Sequence, residues 1–430
     1  MKNNTKLHSA ALALATLILF IIIVSSTVSA ASPKITETRI TTHGTAEIPA
    51  IYGNIIAWQD NRNGNWDIYI YDLSNKKEIH TTNLANQTSP AIYGDKVVWQ
   101  DDRNGASDIY MEDLSTKKQT RITTHGKASN PAIYSNRIVW QDERNVSVEG
   151  DIYMYDLSIH KETKISTSGL ARDPKIYGDK IIWLDDRYED TNGDEIPDIY
   201  MYDLSTHKET QIPRNNSCPG PNIAIFGNRI VWQDYSYSDI IAYYNIYVYD
   251  LFTHKETQIA TNNSMQNKKS LVLSGIYSDR IVCETRDWDG TIPENVYMYD
   301  LSTHQKTQIT TSGSASGPAV YGDRIVYADH RNYGDLYKYD IYMSTLSYLP
   351  VAAFSASPIS GKTPLTVKFT DKSTVSPTSR SWNFGDKSTP STAQNPAHKY
   401  TKAGKYTVTL TVKNVAGINT KKISNYITVN

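Results

Sequence analysis

The sequence predicts an all-β chain in which a seven-bladed β-propeller precedes an immunoglobulin-like β-sandwich. A unit of four strand-like runs recurs seven times between residues 51 and 346. A fourth-strand run stands by itself before the first unit, whereas the seventh unit lacks such a run. After residue 350 the repeat stops, and residues 351–430 follow a different pattern of alternating apolar positions. We therefore expect three segments, namely an export signal at 1–30, the propeller at 35–347 and the sandwich at 351–430.

An aromatic anchor before a tight turn marks each unit. In the second unit the first run ends at Tyr93, and Gly94 begins the turn into Lys96–Gln100. The third run is Asp108–Leu114, and a polar turn leads to the fourth, Gln119–Thr123. Successive anchors lie 41, 41, 43, 49, 51 and 44 residues apart; they are Tyr52, Tyr93, Tyr134, Tyr177, Phe226, Tyr277 and Tyr321. A period in the low forties with four strands per unit is typical of a propeller blade.

The two ends of the repeat complement each other. The seventh unit stops at Leu346 after its third run, and Thr38–Gly44 matches the fourth run Thr120–Gly126 residue for residue. The simplest assembly lets the N-terminal segment complete the last blade. This arrangement closes the ring and leaves no open strand edge between the first and last units.

Composition and the N-terminal residues indicate where the protein acts and which partners it lacks. The 44 basic residues balance the 45 acidic ones, so no global field steers the chain to nucleic acid or to an anionic membrane. Lys2 and Lys6 precede the uncharged run Ala10–Val24, and small residues at Val28 and Ala30 fit cleavage before residue 31. The alternative is a retained N-terminal anchor. No second apolar stretch could cross a bilayer, so we expect a secreted protein without a membrane span after cleavage.

The repeat resembles a known propeller family. An Asp-Arg-x-Gly loop, here Asp102–Gly105, and Asp-Ile-Tyr opening the third strand, here Asp108–Tyr110, are similar to the TolB-type propeller repeat. The resemblance covers residues 35–347. It also extends to surface proteins, including S-layer-associated ones, of methanogenic archaea in which such propellers are joined to PKD domains.

The C-terminal segment resembles a PKD domain. Trp382–Asp386 and His398–Tyr400 match its motifs, and Tyr406, Val408, Leu410 and Val412 alternate as the inward face of a sandwich strand. Asn383 and Lys387 depart from the family pattern Trp-Asp-Phe-Gly-Asp-Gly, which weakens any ion site there. The resemblance implies a spacer or adhesion module without catalytic residues.

Recurrence along the chain distinguishes structural residues from functional ones, because one active site does not need seven copies of a residue. By this test the recurring Asp–Arg pairs and strand-start aspartates are structural, as in Asp101 with Arg103 and in Asp108. Histidines of the third-to-fourth-strand turns are scaffold for the same reason; they are His160, His207, His254 and His304. Function is therefore expected in the second-to-third-strand loops, which differ between units and share one face of a propeller.

Two signals lie in those loops. Exposed rings suited to stacking on sugars or a protein surface are predicted at Tyr235, Tyr237, Tyr243, Tyr244, Trp288 and Tyr333, with packing into blade edges as the alternative. A loop around Ca²⁺ is predicted from the oxygen ligands Asp190, Asn192, Asp194 and Asp198, with Asp287 and Asp289 as a degraded second copy. The alternative is an ordinary solvated acidic loop. No other cofactor is indicated.

Glycosylation and cysteine chemistry follow from export. Asn-x-Ser/Thr sequons occur at Asn86, Asn145, Asn215 and Asn262. Cys218 precedes the fifth unit, and Cys283 takes the tryptophan position of the sixth. The two could pair in an oxidising compartment, or Cys283 could serve as a small buried apolar residue.

These patterns favour a secreted, cell-surface binding or adhesion protein for envelope glycans or a surface protein, without catalysis. Two alternatives stay open: a propeller enzyme acting on polysaccharide as a lyase or glycosidase, and a purely structural envelope component. No serine-nucleophile elbow, zinc motif or phosphate loop is present in the sequence. Non-repeated His or Arg residues clustered with carboxylates at the channel mouth would favour the enzyme, and an aromatic rim with calcium would favour binding.

Overall fold

The computed structural model of the protein describes residues 32–430 except 82–83, 145–149, 188–196, 214–218, 239–240, 261–269, 287–292 and 334–336. For residues 221, 235–238, 241–244, 260 and 270 it describes the backbone only. The expected export signal lies outside the described residues. All regular elements in the described ranges are β-strands, so none of them includes a helix able to span a membrane.

Within the described residues, the repeat segment forms seven four-stranded antiparallel sheets, which we number blades 1 to 7. In each blade the strands run A to D from the inside outwards. The first three blades comprise β2 Ala46–Tyr52, β3 Ile55–Asp60, β4 Asp67–Asp72 and β5 Lys77–His80; β6 Gln87–Tyr93, β7 Lys96–Asp101, β8 Asp108–Asp113 and β9 Lys118–Arg121; and β10 Ala128–Tyr134, β11 Arg137–Asp142, β12 Asp151–Asp156 and β13 Lys161–Lys164.

The next three blades follow the same order. They comprise β14 Ala171–Tyr177, β15 Lys180–Asp185, β16 Asp198–Asp203 and β17 Lys208–Gln211; β18 Pro219–Phe226, β19 Arg229–Ser238, β20 Ile241–Asp250 and β21 Lys255–Ala260; and β22 Ser270–Tyr277, β23 Arg280–Arg286, β24 Val296–Asp300 and β25 Gln305–Gln308. Blade 7 consists of β26 Ala315–Tyr321, β27 Arg324–Asp329, β28 Asp340–Ser347 and β1 Lys34–Arg39.

The N-terminal strand closes the last blade, as the sequence predicts. Strand β1 pairs antiparallel with β28 from Lys34 opposite Ser347 to Arg39 opposite Tyr342. Its side chains repeat the bonds that a normal fourth strand makes, because Arg39 binds Asp340 at 2.5 Å just as Arg121 binds Asp108. The expected match between the two segments therefore holds at the level of individual contacts.

Side chains of strands A, B and C from adjacent blades form the core. Large rings of strand B are fully buried there; they are Trp58, Trp99, Trp140, Trp183 and Trp232. The hydrophobic clusters join neighbouring blades, and one of them unites Ile56 and Trp58 of blade 1 with Val326 and Ile341 of blade 7. Because truncating a buried aromatic residue costs about 3–5 kcal/mol, these shared clusters hold the blades side by side.

Most innermost strands carry a bulge near their start. In five blades the register shifts before a proline, and the residue preceding that proline has a left-handed backbone; these residues are Ile48, Ser89, Asn130, Asp173 and Gly317. A left-handed β-branched residue is an uncommon, strained choice, and Ile48 has φ 49° with half of its surface exposed.

The C-terminal segment forms two packed sheets. One contains β29 Phe354–Ser357, β31 Leu365–Asp371 and β33 Ala397–Tyr400; the other contains β30 Ser360–Gly361, β35 Gly417–Val429, β34 Gly404–Asn414 and β32 Ser379–Asn383. Trp382, Phe369 and Tyr400 are buried in its separate core. The predicted propeller followed by a sandwich is therefore confirmed as the fold class.

One predicted loop is wrong in its local structure. The segment from Tyr235 to Tyr244 is expected as a loop, yet strands β19 and β20 continue through it, with Tyr235 opposite Tyr244 and Ser236 opposite Tyr243. Tyrosine and isoleucine strongly favour the extended backbone, so the segment prolongs the hairpin of blade 5.

Candidate functional site

A repeated cluster at the end of strand B belongs to the scaffold. In blade 2 the buried Asp101 accepts hydrogen bonds from the Trp99 indole at 2.9 Å and from the Arg103 guanidinium at 2.5 Å. That guanidinium also lies 4.2 Å from the ring centre of Tyr110. The same arrangement centres on Asp60, Asp142 and Asp185 in blades 1, 3 and 4, and Asp329 repeats the Arg–Tyr part in blade 7. These side chains therefore stabilise each blade and are not candidates for ligand binding.

Strand A ends in an aromatic hoop that surrounds one end of the axial channel. Its seven members each contact the next at centroid distances of 4.5–4.9 Å; they are Tyr52, Tyr93, Tyr134, Tyr177, Phe226, Tyr277 and Tyr321. Neighbouring rings are inclined by 44–54°, close to the rotation of about 51° that one-seventh of a full turn requires. The seven rings therefore form a closed circle of contacts at this end of the channel.

The other end of the channel is the mouth, where strands A begin and strands B end. A cleft of ≈ 270 Å³ opens there at the junction of blades 6, 7 and 1. We call this the axial cleft; it is lined by Glu47, Ile48, Arg286, Ser316, Gly317, Ala328 and Tyr339. Most of these residues break the repeat, so the cleft is a local feature of three blades.

The cleft exists because a recurrent contact between blades is missing. In blades 1 and 5 a strand-B glutamine accepts the bulge amide of the next blade at 3.1 Å, as Gln59 does from Ser89 and Gln233 from Leu273. In blade 7 the corresponding residue is Ala328, whose methyl group packs in the cluster shared with blade 1 but offers no acceptor for the bulge amide. The space left beside Ile48 forms part of the cleft.

Blade 6 places a charge where the other blades use a neutral amide. Glu284 takes the glutamine position and accepts the amide of Gly317 through one carboxylate oxygen. Its second oxygen lies 2.8 Å from Nη2 of Arg286, whose side chain is 57% exposed. The arrangement gives the cleft a buried carboxylate and an accessible guanidinium within one ion pair.

Burial sets the electrostatics of the cleft. It raises the pKa of Glu284, against the opposing charge of Arg286 and the Gly317 hydrogen bond. Burial also raises the pKa of Glu47, despite a hydrogen bond from Gln59. The pKa of Tyr339 is raised by burial and by the nearby carboxylates of Glu294 and Glu47. The wall therefore combines acids that hold protons more readily than usual with one exposed cation.

An edge-to-face ring contact lies behind one residue of the cleft wall. His330 meets Tyr339 with centroids 5.4 Å apart and planes at 88°. The apolar side chain of Ile48 faces the same cleft. A ring, an apolar side chain and a cation can together bind a ligand with both an apolar face and an anionic group.

The predicted aromatic residues lie elsewhere. The backbones of Tyr235, Tyr237, Tyr243 and Tyr244 belong to the blade 5 hairpin, and Trp288 lies outside the described residues. Tyr333 sits on the N-terminal segment, with its hydroxyl 3.1 Å from Asp340 and donating to the Thr42 carbonyl at 3.2 Å. These contacts involve Tyr333 in the closure of blade 7, and stacking on a ligand stays a prediction for all six residues.

Most predicted calcium and glycan positions fall outside the described residues; these are Asp190, Asn192, Asp194, Asp287, Asp289, Asn145, Asn215 and Asn262. Asp198 is buried and accepts the Gln211 amide at 2.7 Å, as a strand-start aspartate of the scaffold does. Asn86 is exposed, although its Oδ1 accepts the Trp66 amide at 3.2 Å. In the described ranges, no three His, Cys, Asp or Glu side chains are grouped to hold a metal.

Cys283 is buried in the core of blade 6, in agreement with the prediction of a small buried apolar residue. Burial raises the pKa of its thiol to about 12. Cys218 lies outside the described residues. Pairing between the two stays a prediction.

Sequence reasoning missed Glu47, Glu284, Arg286 and Tyr339. The signal was present, because Glu284 is the single acid among positions occupied by Gln59, Gln100, Gln141, Leu184, Gln233 and Ala328 in the other blades. The predicted site residues were placed in the long loops, whereas the cleft residues lie at the short strand ends that surround the mouth.

Comparison with known proteins agrees with this architecture. The family model of the PKD domain matches residues 349–429. No curated protein matches the chain significantly. The β-propeller domain of the Trilobed protease from Pyrococcus furiosus is similar with a TM-score of 0.52 at 16% identity, over 67% of this chain and 90% of that domain. That domain is described as having an open Velcro topology, whereas β1 closes the last blade here.

Two further solved structures are similar. An oligogalacturonate lyase in complex with manganese superimposes with a TM-score of 0.53 at 14% identity, over 74% of this chain and 95% of the lyase. TolB from Acinetobacter baumannii gives a TM-score of 0.43 at 17% identity, over 60% of this chain and 64% of TolB. At these identities the likeness to the protease domain and the lyase concerns the propeller fold, and the TolB score is too low to add to it.

Proposed function

We propose that the protein is exported and binds acidic glycans of the cell envelope through the axial cleft, with the PKD domain as a spacer or adhesion module. The observation that carries this proposal is the accessible guanidinium of Arg286 beside Ile48 and Tyr339 in one cleft. Carboxylate and sulfate groups of sugars pair with arginine, and the apolar faces of sugar rings pack on aromatic side chains.

The repeat supports a ligand role for this arginine. The equivalent residues in blades 1 to 4 are Asn61, Asp102, Glu143 and Asp186. Blade stability therefore needs no cation at this position. Arg286 keeps more than half of its side chain exposed while paired to Glu284, which leaves donors free to face an anionic group.

The experiment is retention of residues 31–430 on isolated cell envelopes, before and after enzymatic removal of glycans. We expect wild type to be retained and Arg286→Ala to lose retention by roughly tenfold or more, as the loss of one charged contact predicts. Arg137→Ala is the matched control, because Arg137 pairs with Asp179 between blades 3 and 4 outside the cleft. Equal retention of both variants would contradict this function, and retention that survives glycan removal would point to a protein partner.

A specific observation also favours an enzyme acting on polysaccharide. Arg286 clusters with Glu284 and Glu47 at the channel mouth, and both carboxyl groups have a raised pKa, as a proton donor or acceptor near neutral pH needs. The lyase and the protease domain show that similar propellers occur in enzymes.

Glu284→Gln separates this second function from binding. It restores the residue of blades 1, 2, 3 and 5, so the variant should fold and keep the contact to Gly317. For an enzyme we expect wild type to release new chain ends from acidic polysaccharides and the variant to lose at least about a hundredfold of that rate. Retention without cleavage would support the binding function alone. The absence of both retention and cleavage would favour a structural envelope component.

A further inference from the structure

A groove of ≈ 430 Å³ lies between the outer strands of blades 1 and 2. Its apolar lining consists of Ile55, Ile70, Ile79 and Leu114. We call it the outer groove, since it borders β5, the outermost strand of blade 1. It shares no lining residue with the axial cleft.

The first of two departures from the repeat that create this groove is Glu112. At the equivalent position five blades have tyrosine, namely Tyr71, Tyr155, Tyr202, Tyr249 and Tyr299. Each of these rings packs in the hydrophobic cluster shared with the preceding blade. The cluster shared by blades 1 and 2 has no ring at this position.

The second departure is a missing isoleucine in the strand D segment of blade 1. Thr81 and Thr123 are equivalent, because each hydroxyl accepts the amide of the second residue of strand C, at 3.2 and 3.0 Å. Ile122 precedes Thr123 and packs on blade 3, whereas the more polar His80 precedes Thr81. Equivalent isoleucines pack at the other junctions; they are Ile40, Ile165, Ile212, Ile259 and Ile309. The outer groove therefore marks the place of a ring and an aliphatic side chain.

An exposed ring on blade 5 is a separate departure from the repeat. Phe252 lies in the turn between strands C and D, where five blades have serine, namely Ser74, Ser115, Ser158, Ser205 and Ser302. Each serine hydroxyl donates to the aspartate two residues earlier, as Ser302 does to Asp300 at 2.6 Å. Phe252 retains only the backbone bond, to Asp250 at 3.0 Å, and 80% of its surface is exposed. The turn therefore does not require this ring.

The ring and the groove are complementary in chemistry. In five blades an aromatic side chain occupies the space that corresponds to the outer groove, so this space is suited to a ring. Glu112 adds a carboxylate inside the groove, and the exposed Lys255 follows Phe252 in the turn. The two can form an ion pair when the ring is inserted. The remaining charges of the groove balance each other; they are Asp72, Lys77 and Lys117 with Glu112 itself.

The two sites lie on opposite sides of the propeller. Because neighbouring blades follow in chain order and blade 7 closes on blade 1, the junction of blades 1 and 2 is half a turn of the ring from blade 5. Phe252 and the groove residues Asn75 and Lys117 all belong to turns between strands C and D, so both sites lie at the periphery on the hoop side. A contact between two different, opposed sites leaves one of each free on every pair of molecules, and it therefore continues from molecule to molecule.

We propose that Phe252 inserts into the outer groove of a second copy of the protein, so that molecules associate head to tail into open chains. The inserted ring buries about 150–250 Å² of its own surface. Contacts well below about 1,200 Å² in total are typical of weak association, so we expect a Kd on the order of 100 μM.

Phe252→Ser and Glu112→Tyr are informative variants, because each installs the residue that five other blades use and should therefore fold. Phe252→Ser keeps the groove and removes the ring, whereas Glu112→Tyr keeps the ring and fills the groove. We expect each variant to associate at least tenfold more weakly than wild type. Glu112→Tyr should melt no lower than wild type, since it adds a ring to the cluster of blades 1 and 2.

Ile159→Thr is the matched control for the loss of an exposed apolar side chain. Ile159 is 66% exposed in the same turn of blade 3, and the variant installs the threonine of blades 2, 4, 5 and 6. It should associate as wild type does. Arg286→Ala leaves both sites intact and should also associate normally, so this proposal and the glycan proposal fail independently.

The experiment is sedimentation velocity of residues 31–430 from about 5 to 500 μM, a range that brackets the expected Kd. Wild type should form dimers, trimers and longer species as its concentration rises. Phe252→Ser and Glu112→Tyr should each stay monomeric, and their equimolar mixture should form a dimer and nothing larger, because one partner supplies only the groove and the other only the ring.

The proposal is overturned if wild type is monomeric throughout this range or stops at a closed dimer. It is also overturned if either single variant associates as wild type does, or if the mixture does not recover the dimer. Loss of association in Ile159→Thr would assign the effect to general surface hydrophobicity and would contradict the proposal as well.

Discussion

At the scale of single residues, one buried aspartate holds the end of strand B in five of the described blades. In blade 2, Asp101 accepts hydrogen bonds from Trp99, Arg103 and Gln87. Blade 5 shows the result of losing the arginine, because Ser236 takes its place and the buried Trp232 indole has no partner in the described part of the chain. The charged pair thus orients the largest side chain of the blade.

We expect Asp101→Asn to destabilise the fold by about 2–3 kcal/mol, the usual loss for hydrogen bonds to a charged group. The variant keeps the shape of the side chain, but it leaves Arg103 without its ion pair. Asp102→Asn is the matched control, because the carboxylate of Asp102 is next in sequence but exposed to solvent. The test is denaturant unfolding followed by tryptophan fluorescence, and an equal midpoint for the two variants would refute this role of Asp101.

The same aspartates predict how stability depends on pH. Burial by itself would raise the pKa of Asp101, but hydrogen bonds from Arg103 and Trp99 and the arginine charge lower it below the ordinary value of 3.8. The unfolded chain therefore binds more protons than the folded one below about pH 5. The stability that these groups contribute is present above that pH and declines as the pH falls through 3.8. Melting curves between pH 6 and 3 should thus fall more steeply for wild type than for Asp101→Asn.

The scaffold residues could be read from the sequence, and the cleft residues could not. Seven copies of a unit expose Asp101 and Arg103 as structural without any coordinates. Glu284 is visible as an exception in the repeat, yet its contact with Gly317 of the next blade depends on a bulge whose position follows from backbone geometry. The cleft also depends on the missing hydrogen-bond acceptor at Ala328, whose consequence for the neighbouring blade follows only from the folded ring.

At the scale of elements, the closing strand decides whether the ring is continuous. Strand β1 pairs along its whole length with β28, and Glu37 adds contacts to Arg331 at 2.7 Å and to the Tyr327 hydroxyl at 2.6 Å. The matching end runs of the sequence were sufficient to predict this pairing. The blade 5 hairpin was not predicted, because its polar and aromatic residues read equally well as a long loop.

A protein that begins at Thr45 should melt at least about 5–10 °C below one that begins at Ser32, because β28 then becomes an open edge and loses its ladder of hydrogen bonds. Arg39→Met in the full-length form should lower the melting temperature much less, since it removes one partly exposed ion pair and keeps the strand. Differential scanning fluorimetry gives both values. A shortened protein that melts like the longer one would show that the ring does not need β1.

The turns on the hoop side add a second set of contacts between blades. Arg324 of blade 7 donates to the Gly53 carbonyl at 2.9 Å and to Asn54 Oδ1 at 2.8 Å in blade 1, so it bridges the seam between the last and first blades. Arg137 makes the equivalent contacts from blade 3 to blade 4, where consecutive chain also joins the blades.

Arg324→Ala should therefore cost about 1 kcal/mol more stability than Arg137→Ala, because Arg324 lies beyond the junction of β28 and β1, which only strand pairing holds together, whereas the chain is continuous from β11 to β14. Unfolding midpoints of the two variants in urea give the comparison. Equal midpoints would mean that the seam is no weaker than the other junctions.

At the scale of the whole molecule, the propeller and the sandwich have separate cores. Every buried member of the sandwich core lies between Ala352 and Val429, and the clusters of the propeller end at Tyr348. Within the described residues, the hydrogen bonds that cross between them are few, and they include Asn414 Nδ2 to the Tyr348 carbonyl at 2.8 Å and Lys34 Nζ to the Val415 carbonyl at 3.3 Å. Domains with such small contacts usually fold as independent units.

We therefore expect two calorimetric transitions for residues 31–430. Ending the chain after Tyr348 should remove one transition and shift the other by less than about 2 °C, because the propeller clusters keep all their members. The isolated segment 349–430 should reproduce the missing transition, since its core is complete. A single transition that moves strongly on truncation would instead show that the sandwich supports the closing strand β1 through contacts such as that of Lys34, and would make the two parts one cooperative unit.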